Sequence, residues 1–240
     1  MKKIFFRSLL IILCMLPVLA FAHFIIFPQE TRCILINFSS FEKDGQLYYK
    51  SNVPFQTKKQ LKEFIKQAQM RVDSFWGSST ANPKYIYCDN EADYNKFGTP
   101  GSPACTHVKL ETYIVVSKSA IDVDIISHEL EHAEFKNRIG FMKYSFKIPT
   151  WFDEGLAMQV DYRNYYSEDT LKSKSANFSN LPDVKKMKSG AQFGAGNIDA
   201  IMLNYMMAKH EVKNWITKER LAKFVSDINN GKNFDEAFAK

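Results

Sequence analysis

The chain has 240 residues, 45% hydrophobic and 24% charged, with 10 glycines and 8 prolines. That composition excludes a disordered, collagen-like or low-complexity protein, and it allows one good-sized core or two small ones. The formal charge is +6, but setting aside Lys2, Lys3 and Arg7 leaves 29 basic residues against 26 acidic ones, a balance of +3 that argues against a nucleic-acid partner.

The basic start MKKIFFR, the apolar run SLLIILCMLPVLAF and Ala20-Phe21-Ala22 read as an export signal over residues 1–22. They predict a mature start near His23 and a periplasmic or secreted protein. The alternative is a retained membrane anchor, because the apolar run resumes as HFIIF and Ser8 to Phe27 is long enough to span a bilayer. Cys14 falls inside the signal. Cys33, Cys88 and Cys105 would then meet an oxidising compartment, where the stretch CDNEADYNKFGTPGSPAC invites a Cys88–Cys105 disulfide with Cys33 left free.

Residues 23–54 read as an N-terminal strand segment. RCILINF, Arg32 to Phe38, is predicted as a strand, and Asp44-Gly45 as a turn into a strand at Gln46 to Tyr49. Thr57 is predicted to cap a helix to about Phe75, with Leu61, Phe64, Ile65, Ala68 and Val72 at helical spacing. Lys84 to Cys88 and TYIVVS, Thr112 to Ser117, read as strands. Beyond them the chain is helical: Ile121 to Arg138, stopped by Gly140; Thr150, as a cap, to about Tyr162; then Ile198 to Val212, Thr217 to Asn229 and Phe234 to Ala239. Arg163 to Gln192 is irregular and polar. Strands first and helices after predict an α+β fold with segregated halves.

Within the first long helix of that half stands ISHELEHAEF, Ile126 to Phe135. His128 and His132 are four residues apart, so on a helix both imidazoles reach one metal ion. Glu129 sits at the edge of that face, where it can take a proton from a metal-bound water without ligating. Glu131 and Glu134 are expected on the solvent face. A catalytic zinc takes three protein ligands, so a third is needed. IPTWFDEGLA offers Glu154 and, as a competitor, Asp153; one residue's shift turns a side chain by about 100°, so only one of them can face the metal. Trp151 is expected to anchor that helix in the core, and His107 to lie in a loop.

HELEH followed by PTWFDEGLA resembles the gluzincin metallopeptidases, of the thermolysin and aminopeptidase-N type. It is most similar to the small bacterial peptidase MA-like domains, which share W-x-x-E-G-x-A. The resemblance covers about residues 55–240 and implies a single zincin-like domain, a small mixed sheet with an edge strand followed by a mostly helical half. It implies Glu154 as third ligand, one Zn2+ per chain, and hydrolysis of a peptide or protein substrate with Glu129 as general base. It also implies that the strand before the metal helix, here TYIVVS, is a sheet edge that pairs with substrate. The family's usual oxyanion-stabilising tyrosine position falls at Gly196 and Asn197. Tyr205, on a Met-rich face that reads as core, and the tyrosines at 162, 165 and 166 remain as candidates. The competing expectations are an inactive binding module on this scaffold and a membrane-anchored sensor.

Overall fold

The computed structural model describes residues 15, 17–19, 21–179 and 181–239. Most of the expected signal segment therefore lies outside the described residues. Among the described residues no helix is long and apolar enough to cross a membrane. The chain divides into two compact units: residues 1–53 with 84–118, and residues 54–83 with 119–240.

The first unit carries a five-stranded mixed sheet in the order β1-β2-β3-β5-β4. Helix α1 (Pro28–Ile34) is followed by a 3-10 turn at Ile36–Phe38, where a strand was expected from RCILINF. The buried residues of that stretch are Cys33 and Ile36, three apart. That is a helical spacing, and Pro28 in the first turn starts the helix. Strands β1 (Phe41–Asp44) and β2 (Leu47–Lys50) form an antiparallel hairpin in which Asp44 opposes Leu47, as the Asp44-Gly45 turn predicted. β3 (Lys84–Cys88) runs parallel to β2 and to β5 (Tyr113–Ser117). β4 (Ala104–His107) is antiparallel to β5.

This order corrects two expectations. TYIVVS is an interior strand, paired on both sides, and the edges are β1 and β4. Its residues Tyr113 to Val116 are all buried, whereas β4 exposes part of three of its four residues. A continuous apolar run marks a strand covered on both faces, which is a central position. The second correction concerns the cysteines: Cys33, Cys88 and Cys105 are all free. Cys88 lies on β3 and Cys105 on β4, with β5 between them. Two strand spacings separate Cα atoms by roughly 9.5 Å, and a disulfide needs less than about 7 Å. The segment between these cysteines also contains helix α2 (Glu91–Phe97), capped by Asn90, which accepts from the Asp93 amide at 2.9 Å.

The second unit is helical. α3 (Phe55–Trp76) buries Leu61, Ala68 and Val72 and starts after Pro54, so Thr57 lies inside its first turn and does not cap it. α4 (Val123–Ile139) is capped by the Asp122 carboxylate, which accepts from the amides of Asp124 at 2.7 Å and Ile125 at 3.3 Å. Gly140, at φ +80, ends it and turns the chain directly into α5 (Phe141–Lys147). α6 (Thr150–Ala157) follows Pro149, which takes the cap position expected for Thr150, and it stops well short of Tyr162. Two short helices, α7 (Glu168–Lys174) and α8 (Gly190–Phe193), interrupt the polar stretch. α9 (Ile198–Trp215), α10 (Lys218–Asn229) and α11 (Phe234–Phe238) complete the unit.

Two residues fix α6 in place. The Phe152 ring sits among Phe224 at 4.8 Å, Phe234 at 5.2 Å and Trp215 at 5.4 Å between centroids. Truncating such a fully buried ring costs about 3–5 kcal/mol. On the side facing α9, Gly155 leaves no room for a side chain: a Cβ there would stand 2.5 Å from the Ala208 carbonyl oxygen. The Glu-Gly pair of the motif thus combines a polar group for the site with the close helix contact that delivers it. Trp151 is buried in the same core, as expected.

Candidate metal centre

His128 and His132 lie one turn apart on α4, and Glu154 reaches them from α6. Their ligand atoms converge. His128 Nε2 is 3.2 Å from His132 Nε2 and 3.2 Å from Glu154 Oε2, and His132 Nε2 is 3.6 Å from that same oxygen. Donors about 2.0–2.1 Å from one tetrahedral zinc ion stand about 3.3 Å from each other, so the observed spacings fit one metal ion at the centre. This buried group can hold a metal ion.

The opposite ring nitrogens explain why the Nε2 atoms point inward. His132 Nδ1 lies 3.1 Å from Asp153 Oδ2, and His128 Nδ1 lies 3.8 Å from Asp161 Oδ2. A carboxylate behind each ring favours a proton on Nδ1 and leaves the Nε2 lone pair aimed at the centre. Asp153 therefore backs a ligand, while Glu154 joins the ligand set. Asp153 also accepts from the Tyr144 hydroxyl at 2.5 Å. Asp161 is fully buried and takes the Arg163 guanidinium, with Nε at 2.9 and 3.0 Å from its two oxygens. The Lys209 ammonium donates to the Asp161 carbonyl at 2.6 Å and ties this turn to α9.

The electrostatics follow from crowding these groups in a buried place. Burial pushes the Glu154 carboxyl up, but the two imidazoles outweigh it and hold it well below the usual carboxylate range. Burial would lower His132, yet Asp153 and Glu154 hold it well above the ordinary imidazole value. Burial likewise opposes ionisation of Asp161, and the Arg163 ion pair overrides it and lowers its pKa.

Of the tyrosine candidates, the structure brings two to the site. The Tyr205 ring is 6.1 Å from the His128 ring and 5.9 Å from Tyr166. The negative charge of Glu154, then burial and Glu129, push the Tyr205 phenol well above its ordinary value, so it is held protonated as a donor. Tyr205 packs against the core as well, with its ring 5.0 Å from Phe193. Tyr162 is 60% exposed and stacks under the Arg71 guanidinium instead.

The other two glutamates of ISHELEHAEF are not on a solvent face. Glu131 and Glu134 are 1% and 0% exposed. Trp76 Nε1 donates to Glu131 at 2.7 Å, and burial pushes that carboxyl up to about 8 despite this bond. Glu134 accepts from the amides of Thr80 at 2.7 Å and Ala81 at 2.6 Å and pairs with Arg138 at 2.7 Å. α4 is surrounded by α3, α6 and neighbouring helices, so no face of it is left to water over this stretch. His107 lies in β4 of the sheet unit, not in a loop.

Sequence reading missed Tyr144, Asp161 and Arg163. Tyr144 sits on α5, which a seven-residue length hid. No protein-family model, no curated protein and no solved structure matches this chain.

Proposed function

We propose that the helical unit is a zinc peptidase of the gluzincin type, with His128, His132 and Glu154 as metal ligands and Glu129 as general base. The observation that carries this reading is the convergence of three ligand atoms at 3.2 to 3.6 Å, with a glutamate directly after the first histidine. Two imidazoles and one carboxylate suit zinc better than calcium or magnesium, which prefer oxygen ligands. On this reading the fold is zincin-like and the segment 1–22 exports the enzyme.

A zinc ion bound there supplies Lewis-acid polarisation of a carbonyl and lowers the pKa of coordinated water from 15.7 toward ~7. Glu129, 9% exposed at the edge of the ligand face, accepts the proton of the attacking water and returns it to the leaving amine. Tyr205, kept protonated beside Glu154, donates its hydroxyl hydrogen to the oxyanion that develops on the scissile carbonyl. Asp153, 3.1 Å from His132 Nδ1, orients that ring, and the Asp161 carboxylate 3.8 Å from His128 Nδ1 favours the matching tautomer by its charge.

The test is a pair of measurements on purified protein. Metal analysis should find about one zinc per chain, and a peptide library should be cleaved in a chelator-sensitive way. Glu129→Gln should keep the zinc and lose hydrolysis. Absence of bound zinc removes the whole reading; full activity in Glu129→Gln removes the general base.

A further inference from the structure

Beside the first turn of α6 the helical unit holds an open cavity of about 440 Å³, lined from α5, α6, the stretch 185–188 and α11. Its apolar part is aromatic. Phe234 and Phe238 stack with ring centres 5.3 Å apart, and Trp151 stands edge-on to both, at 5.9 and 5.5 Å. Phe146, 77% exposed, completes the lining on the solvent side. The walls are clamped to one another. The Lys147 ammonium donates to the carbonyls of Gly231 at 2.8 Å and Lys232 at 3.0 Å, which joins α5 to the turn before α11. The Thr150 amide donates to the Lys188 carbonyl at 3.0 Å, which joins the start of α6 to the basic stretch VKKMK.

The charges of the lining do not balance. Lys147, Lys185 and Lys188 stand against one carboxylate, Asp235. Lys185 is answered by Glu211 at 2.7 Å. Lys147 has only neutral carbonyls as partners, and Lys188 makes no ion pair among the described residues. One positive charge is left over.

We propose that this cavity binds an aromatic monocarboxylate, a flat ring on a short chain that ends in a carboxylate. None of the metal-ligand candidates lines it, and the inference does not rest on the peptidase reading. The volume lies in the range of small-molecule sites, which are mostly apolar with a few placed polar groups. The corner between the stacked phenyl rings and the indole offers a ring both a face and an edge, the two arrangements aromatic pairs prefer at 4.5–7 Å. The leftover charge takes one anionic group. An ammonium has three donors, and Lys147 gives two to carbonyls, so one is free for that group. An uncharged ligand leaves the charge unanswered, and a cation adds to it. Because the walls are already tied together, little of the protein has to be ordered on binding.

The experiment is calorimetry on the full-length protein with 3-phenylpropanoate, which should bind with a Kd of about 1 mM or below, a range open to ligands of this size. The uncharged 3-phenylpropanol and the cationic 3-phenylpropylammonium should each bind at least about tenfold more weakly, and propanoate, which lacks the ring, should not bind. Lys188→Gln should remove most of the acid's advantage over the alcohol, and Phe146→Ala should weaken both alike. Both positions are exposed, so neither change disturbs the core. Such a carboxylate can come from a free acid or from the C-terminal phenylalanine of a polypeptide. Acetyl-Ala-Ala-Phe and its amide, measured on Glu129→Gln so that neither is consumed, separate the sources. Binding tighter than that of 3-phenylpropanoate, and lost in the amide, supports the site and assigns it to a polypeptide end; weaker binding supports the site and assigns it to a free acid. No binding of 3-phenylpropanoate, equal binding of acid and alcohol, or binding of the acid that neither Lys188→Gln nor Phe146→Ala changes, as capture at the metal centre would give, each overturns the proposal.

Discussion

Both units of the chain set histidine among other polar groups, and the two arrangements are built on opposite rules. In the sheet unit, His107 Nε2 lies 2.7 Å from the Phe97 carbonyl and 3.6 Å from Cys105 Sγ, while its Nδ1 faces Glu30 at 3.6 Å. Glu30 in turn pairs with Lys109 at 2.5 Å. Burial would lower His107, but Cys105 and Glu30 push it up to about 10. In the helical unit, two Nε2 atoms and a carboxylate oxygen meet with no donor between them beyond what the histidines themselves can supply. Residue type alone does not make a metal site. What separates the two clusters is whether lone pairs converge or pair off.

That contrast can be broken or sharpened by substitution. The largest effect is expected at the ligands: His132→Ala or Glu154→Ala should weaken zinc binding by more than about a hundredfold, the upper end of losses seen for outer-shell partners. His107→Gln should leave the zinc content at one per chain. Metal analysis after dialysis against a weak chelator distinguishes these outcomes, and zinc loss in His107→Gln would falsify the division of roles. Asp161→Asn should come next, with a loss of about 10–100-fold in metal affinity.

Gly155→Ala tests the helix contact behind the site. Forcing a methyl group 2.5 Å from a backbone carbonyl should cost about 1–3 kcal/mol in denaturant unfolding. It should also slow any hydrolysis, because α6 must move to make room. The thiols give a smaller effect. Cys33 and Cys88 are buried, and burial pushes both thiols well above their ordinary value, while Cys105 is partly exposed beside a cationic imidazole. Of these three, the native protein should label at Cys105 alone with a thiol reagent, and at all three once unfolded. Labelling of Cys88 in the native state would contradict its position in β3.

The smallest effect expected is a pH dependence in the sheet unit. Burial opposes ionisation of Asp93, but Lys50 at 2.5 Å, Asn90 and Lys96 at 3.1 Å hold its carboxyl down at about 2. A depressed carboxyl pKa contributes stability above its unfolded value near 4. That contribution is lost as pH falls from there through about 2, because the unfolded chain takes up the proton first. Asp93→Asn should therefore flatten the acid limb of the stability curve between those limits and leave the neutral and alkaline limbs unchanged in shape.

How much of this was legible in the sequence depends on how local each signal is. The ligand pair His128 and His132 needs only a four-residue repeat on one helix, and it was readable at once. Glu154 needed a second motif and a resemblance to separate it from Asp153, since both lie on one short helix. Asp161 faces His128, and Tyr144 bonds Asp153, each from another segment, and no spacing in the sequence ties either to the histidines. Glu131 and Glu134 were misassigned because charge usually marks a solvent face; here the helix is enclosed, and each carboxylate is answered by a group about 55 residues away. TYIVVS was correctly a strand, but its place in the sheet depends on β4, whose own sequence is short and half-polar.

Asp161 serves two structures at once. Its carboxylate faces His128, and its carbonyl is gripped by Lys209 on the helix that also carries Tyr205. The orientation of a metal ligand and the seating of the hydroxyl-bearing helix thus share one anchor. Substitutions at 161, 163 and 209 should be strongly epistatic: after the first, the second and third should do less harm than the sum of their separate effects. In a deep mutational scan these three positions, scattered across 49 residues of sequence, should behave as one locus.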